Sequence, residues 1–243
     1  MGAQKPLSVF SFDPLHLEHH MRRFAVLGNP IEHSKSPEIH RAFAQSCRHD
    51  IDYQRVLVEA GDFDRVVAEF FASGGIGLNV TAPFKGEAFA LAEVHTEDAV
   101  DAKAVNTLWR DVEGRVCGHT TDGSGLARDL EANLGWKLID AHILSLGAGG
   151  AMRSILGPLC DRAPASIHVA NRTPERAEDL VALFEERGSL TAGSLMAIPD
   201  REWSIVINGL SSGWAGDFPD LNIPTISSSA SAYDLIYSDQ PTP

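Results

Sequence analysis

From residue 23 the sequence keeps two rhythms: short apolar runs closed by Gly, Asn or Pro, and longer stretches whose apolar positions return every three or four residues. RFAVLG (Arg23 to Gly28) predicts a buried strand that opens into the loop Gly28-Asn29-Pro30. Ser36-Pro37 then leads a helix with Ser36 as its cap, Pro37 at its first position and Ile39, Ala42, Phe43 and Ser46 on one face. A strand over Tyr53 to Val58, an amphipathic helix over Asp62 to Ser73 and a strand over Ile76 to Val80 continue the alternation, which predicts a mostly parallel sheet. In AVNTLWRDVEGRVCG the apolar stretches flank Asp111 to Gly114, as in a hairpin, and should form an antiparallel edge. A helix over 121–135 follows, with Asp122 or Ser124 as cap and Leu126, Leu130 and Leu134 turned inward.

The second half repeats the pattern with a different punctuation. Ile143, Leu144 and Leu146 read as a strand, 147–151 as a turn and Met152 to Leu159 as a helix. SIHVANR is the next strand, TPERAEDLVALFEE a helix with Pro174 near its start, and SIVINGL and AYDLIY two more strands, separated by a Ser/Gly/Pro-rich loop over 211–231. The expected fold class is therefore α/β with two domains, the second built from Rossmann-like βαβ units. The expected divisions are a leader over 1–22, a first domain over 23–121, a connecting helix over 122–135, a Rossmann-like domain over 136–231 and a final strand with a return segment over 232–243.

With 243 residues, 44% of them hydrophobic, the chain can fill such cores. Its formal charge of -13 repels nucleic acid and anionic membranes, so an anionic ligand has to be held by local donors. Neither nucleic acid nor membrane is an expected partner. Cys47, Cys117 and Cys160 are three and far apart, which suits a reducing, cytoplasmic setting better than a disulfide framework, and no spacing argues for a metal. The first 20 residues lack the basic flank, apolar region and cleavage site of a secretory signal. The sequence encodes no oligomeric state, and a homodimer remains admissible.

Glycines 147, 149 and 150 have separate uses after a strand and before a helix. Gly147 permits a tight turn, Gly149 lets a pyrophosphate approach the backbone, and Gly150 with Ala151 relieves crowding where the helix presents its N–H groups and dipole. Ala148 completes the loop. About 20 residues on, an NAD site places Asp or Glu on the ribose. This chain instead reads Asn171-Arg172-Thr173, with Arg176 one turn later, and two guanidinium groups and a hydroxyl suit the 2'-phosphate of NADP.

Three polar clusters fall where first-half strands end. They are Ser34-Lys35-Ser36, then the loop from Asn79 through Thr81 to Lys85, and finally Asn106-Thr107 with Thr121-Asp122. Each has an ordinary explanation as a cap, a loop hydrogen-bonder or a solvated charge. Their repeated position makes one shared pocket more economical. A lysine ammonium can stabilise and protonate a carbonyl oxygen that gains charge on hydride delivery, and Lys85 with Asp122 is the candidate pair. Which of them carries the exchanged proton is left open.

The stretches FAVLGNPIEHSKSPEIHRAFA, GLNVTAPFKGEA, AVNTL, TTDGSGLARDL, LSLGAGGAMRSI and NRTPERAEDL, in this order, resemble the shikimate dehydrogenase family. The resemblance implies reversible, NADPH-dependent reduction of 3-dehydroshikimate to shikimate, a small carboxylated cyclohexene and a precursor in aromatic biosynthesis. It assigns Ser34, Ser36 and Tyr233 to the carboxylate, Asn79, Thr81, Asn106 and Asp122 to ring hydroxyls, Lys85 and Asp122 to catalysis, and Asn208 to the cofactor side.

Three departures from the family pattern stand out. Leu210, in Asn208-Gly209-Leu210-Ser211, replaces a hydroxyl residue, and Thr120 replaces an asparagine. The family also continues past the Thr-Pro pair, here Thr242-Pro243, with helices and a glutamine that contacts substrate; without them the pocket is expected to stay open and apolar surface to be exposed. Two other readings compete: a relative that also takes quinate, and a weakly active or inactive NADP- or metabolite-binding homologue.

Overall fold

The computed structural model describes residues 21–210, 221 and 226–236, and within them the chain forms two compact units. The first comprises the described residues up to Ala99 together with Ala104–His119; the second comprises Val100–Lys103 and the described residues from Thr120 on. The helix expected to connect two domains therefore groups with the second. Among the described residues, no helix is long and apolar enough to cross a membrane.

The first unit carries strands β1 (Arg22–Gly28), β2 (Ile51–Leu57), β3 (Gly77–Val80), β4 (Val94–His95), β5 (Thr107–Arg110) and β6 (Val116–His119), in the spatial order β2-β1-β3-β5-β6-β4. β1 pairs parallel with β2 and β3, while β5 pairs antiparallel with β3 and β6. The expected hairpin forms, with Gly114 at φ +84 in its turn and the Asp111 carboxylate accepting from the Glu113 and Arg115 amides. It is not the edge, because the two-residue β4 adds in parallel beyond β6. One face of the sheet packs on a core that includes Phe63, Phe70, Leu78, Phe84 and Leu108.

Helix α1 (Ser36–Ser46) corrects the sequence reading twice. Its inward positions are Pro37, His40 and Ala44, whereas Ile39 and Phe43 are 46% and 62% exposed. The cause is His40, which occupies an inner position by stacking on the Tyr53 ring at 4.4 Å and 18°; a polar residue type on the buried stripe displaced the apparent apolar one. Ser36 does not cap this helix. The Ser34 oxygen instead accepts the Ser36 amide at 3.3 Å.

Helices α2 (Phe63–Ala72), α3 (Lys85–Leu91) and α4 (Glu97–Ala102) complete the run to residue 102, and the last two were not visible in the apolar pattern. Helix α5 (Asp122–Arg128) runs into a π-helical turn over Asp129–Asn133. Leu126 and Leu130 are buried as expected, but the wide turn, closed by Leu134 N–H on the Asp129 carbonyl, rotates Leu134 outward to 47% exposure. Neither Asp122 nor Ser124 caps α5. Asp122 lies inside its first turn, and the Ser124 hydroxyl donates back to the Thr121 carbonyl.

The second unit's sheet is fully parallel: β7 (His142–Leu146), β8 (Ser166–Asn171), β9 (Leu190–Ser194), β10 (Trp203–Asn208) and β11 (Ile226–Asp234) stand in the order β11-β10-β7-β8-β9. Helix α6 (Gly150–Cys160) follows β7, and α7 (Pro174–Ala182) follows β8. α7 ends sooner than predicted, and a short 3-10 turn (Glu185–Arg187) follows it. β9 was not predicted, and β11 starts at Ile226, inside the stretch read as loop; Tyr237 and Thr242-Pro243 lie outside the described residues. Leu130, Met152, Leu156, Val169 and Ile207 are part of the core on one face of this sheet, and Leu144, Leu146, Trp203 and Val206 of that on the other. Cys47, Cys117 and Cys160 are free thiols, and burial raises the Cys160 pKa to about 11.

Candidate active site

In the first sheet β1 and β3 end where the antiparallel β5 begins and β6 finishes. The register Asn79↔Thr107↔His119 therefore brings four chain segments to one end of the sheet. Gly28, at the close of β1, is packed so tightly that a Cβ there would lie 2.5 Å from the Thr81 methyl and 2.8 Å from Ile31. The Thr81 amide donates to the Leu27 carbonyl, which ties the loop after β3 to the end of β1.

Several of the expected polar residues at this end are hydrogen-bonded. Buried Ser34 donates to the Ser36 hydroxyl at 3.2 Å, and its carbonyl accepts from Arg55 Nε at 2.7 Å while the same guanidinium grips Glu38. That hydrogen bond from Arg55 is the main reason the Glu38 carboxyl lies below its usual pKa. Asn79 Nδ2 donates to the Asn106 carbonyl and to Thr107 Oγ1, both at 3.2 Å, and Thr107 donates to Asn106 Oδ1 at 2.9 Å. Tyr53, which reads in the sequence as an ordinary strand residue, closes the group by donating to Asn79 Oδ1. Only 1% exposed, its phenol has a raised pKa because burial disfavours the charged form, an effect that a hydrogen bond with the Ser36 side chain opposes.

Lys85 begins α3, half-buried, and its carbonyl accepts the Val105 amide at 2.9 Å. Asp122 begins α5 and is also half-buried. Its neighbour Gly123 is obligatory for packing, since a Cβ there would meet the Ser154 carbonyl oxygen of α6 at 2.4 Å. Tyr233 has a different setting from the one expected: its hydroxyl donates to Asp129 at 2.9 Å and its ring packs edge-on to Trp136. Thr120 is 2% exposed, and its hydroxyl has no hydrogen-bond partner among the described residues.

The second sheet changes direction between β7 and β10, neighbours whose strand ends are in register at Leu146↔Asn208. A crevice at such a switch point is where open α/β sheets take ligands. Gly147 has φ +99, and a Cβ on it would lie 2.9 Å from the Gly209 carbonyl oxygen, so this position excludes every side chain. A Cβ on Gly149 or Gly150 would meet nothing within 4 Å; these two leave open space over the first turn of α6, where backbone N–H groups lack helical partners. Ala148 and Ala151 keep the rest of the loop small. The donor set therefore fits a pyrophosphate.

At the end of β8, Asn171 Nδ2 donates to the Thr173 carbonyl, while Arg172, Thr173 and Arg176 are exposed. Among the described residues neither arginine is in a salt bridge, so pairing with Glu175 or Glu178 does not account for them. Asn208 Oδ1 accepts the Leu210 amide at 3.1 Å, and Leu210 is buried among Leu146 and Trp203, so the apolar departure belongs to the core.

Residues 26–108 match the family described as the shikimate dehydrogenase substrate binding domain, and residues 129–210 match shikimate / quinate 5-dehydrogenase. The shikimate dehydrogenase (NADP(+)) of Alkalilimnicola ehrlichii is 48% identical over 91% of this chain and 81% of its own length. Among solved structures, an Ael1 enzyme from Pseudomonas putida superposes with a TM-score of 0.83 at 37% identity, covering 91% of this chain and 81% of the other. Shikimate 5-dehydrogenase from Thermus thermophilus, solved with NADP(H) and shikimate, gives 0.76 at 31% identity over 89% and 79%.

Proposed function

Because the chain belongs to the shikimate dehydrogenase family, we propose that it reduces 3-dehydroshikimate reversibly to shikimate with NADPH. The observation that carries this reading is the hydrogen-bonded group at one end of the first sheet, which gathers hydroxyls and amides from segments far apart in sequence. Ser34 and Ser36 bind the carboxylate by turning to it the hydroxyls that otherwise meet each other, while Asn79, Thr81 and Asn106 take ring hydroxyls. Tyr233, the third residue proposed for the carboxylate, would have to give up its bond to Asp129 to join them.

Gly147, Gly149, Gly150 and the first N–H groups of α6 would hold the pyrophosphate, with Asn208 on the facing loop, and Asn171, Arg172, Thr173 and Arg176 the 2'-phosphate. When bound, NADPH supplies the hydride. Lys85 stabilises the negative charge that grows on the carbonyl oxygen, and Asp122 is the second member of the proposed catalytic pair.

A paired assay tests the reading: shikimate and quinate, each with NADP and with NAD, followed at 340 nm. Shikimate with NADP is expected to give the highest kcat/KM. Equal turnover of quinate would widen the substrate class, a preference for NAD would remove the roles of Arg172 and Arg176, and NADP binding without turnover of either acid would mark a binding protein instead of an enzyme.

A further inference from the structure

We infer that Tyr53 is a positioning residue: its hydroxyl is the third anchor of the Asn79 amide, whose donor end the Asn106 carbonyl and Thr107 hold, and it keeps that amide fixed in the orientation a polyhydroxylated ring meets. The inference rests on the proposed reading that this amide binds a ring hydroxyl.

The orientation of the amide follows from one group that cannot change roles. The Asn106 backbone carbonyl only accepts, so the Asn79 atom 3.2 Å from it must be the NH2 nitrogen. That nitrogen also lies 3.2 Å from Thr107 Oγ1, which must accept there and pass its own hydrogen to Asn106 Oδ1. The Asn79 oxygen consequently faces Tyr53 and takes the phenol hydrogen. Both Asn79 N–H groups are then committed, and its oxygen retains one lone pair. Asn79 can only accept, and so demands an O–H donor from its ligand.

The phenol is held in place on several sides. Its ring is stacked on His40, His40 Nδ1 lies 2.9 Å from the Ser36 carbonyl, and the Tyr53 carbonyl accepts from Arg41 at 2.7 Å. The same helix start carries Ser36, so the carboxylate-binding serines and the hydroxyl-binding amides share one rigid support. Were Tyr53 only a core residue, its ring would matter and its hydroxyl would not.

Tyr53→Phe keeps the ring and the His40 stack and removes the hydroxyl alone. In 1H–15N spectra the wild-type Asn79 side-chain amide is expected to give one well-resolved pair of signals, which broadens or shifts in the variant as the amide loses the anchor on its oxygen. With NADP and shikimate, the variant's shikimate KM should rise on the order of tenfold, with kcat within about twofold and the NADP KM unchanged. A purely structural loss would lower the active fraction, and so kcat, without moving that KM. Unchanged Asn79 signals, or an unchanged shikimate KM in an active enzyme, would overturn the inference. If the wild-type chain turns over no shikimate, the proposed function fails, and the Asn79 spectrum alone decides whether Tyr53 orients the amide.

Discussion

At the ends of the first sheet's strands, Asn79 has its amide held by three neighbours before any ligand arrives, whereas at the ends of the second sheet's strands Gly149 and Gly150 leave room where a side chain would be. The two regions solve opposite problems. A small ring with hydroxyls at fixed positions is discriminated by donors and acceptors of set polarity, since a buried polar group left unpaired is costly. A pyrophosphate is the same in every dinucleotide, and it is best met by backbone N–H groups and a helix dipole that need only proximity. On the proposed reading, specificity would enter the second region through Arg172 and Arg176, which are exposed and lie outside the glycine loop.

Substitutions separate these two modes, and their expected effects fall in a clear order. Lys85→Ala should lower kcat by roughly 100- to 10,000-fold while leaving the NADPH Kd, read by fluorescence titration, unchanged; comparable turnover would remove Lys85 from the reaction. In the glycine loop, Gly147→Ala combines a disfavoured φ with a backbone clash and should cost about 3 kcal/mol in denaturant unfolding. Gly150→Ala, with space around it and a helical backbone, should leave stability level or higher yet weaken NADPH binding by about tenfold. Equal effects of the two alanines on folding would abolish the distinction drawn between a turn glycine and a ligand-facing one. Arg172→Ala and Arg176→Ala should each reduce the preference for NADPH over NADH by roughly tenfold, measured as a ratio of kcat/KM values.

The smallest effect belongs to Tyr233→Phe, which removes a hydrogen bond to Asp129. Bonds from Asn133 and then Tyr233 hold the Asp129 pKa below its ordinary value in the folded protein. Its contribution is thus present above the ordinary carboxylate pKa and is lost as pH falls through the lowered one. A fall in Tm of about 2 °C at neutral pH, shrinking in acid, is expected; a difference that persists undiminished at the lowest pH would show that the bond does not act through the Asp129 charge.

The same contrast explains what could be read from the amino-acid sequence. Gly147 was legible because geometry leaves the chain no other residue there. Tyr53 was not, since an aromatic residue in an apolar strand looks like core, and nothing local reveals that its hydroxyl meets Asn79 from another strand. His40 misled for a related reason: a histidine on the inward stripe made Ile39 and Phe43 look like the buried face. β9 escaped because its Thr-Ala-Gly-Ser run has no apolar alternation and pairs only because β8 offers it an edge. The fold class depended on long-period patterns and survived these local errors. The details of polar contact depended on tertiary neighbours and did not.

The wide turn over Asp129–Asn133 behaves as a phase shifter in the segment that begins with Asp122. Its extra residue advances everything downstream by about 100° around the axis, uncoupling the facing of Leu126 from that of Trp136. A one-residue insertion or deletion, normally ruinous within a helix, can be taken up here by exchanging a wide turn for an ordinary one, so this stretch can drift in length without disturbing Gly123 against α6.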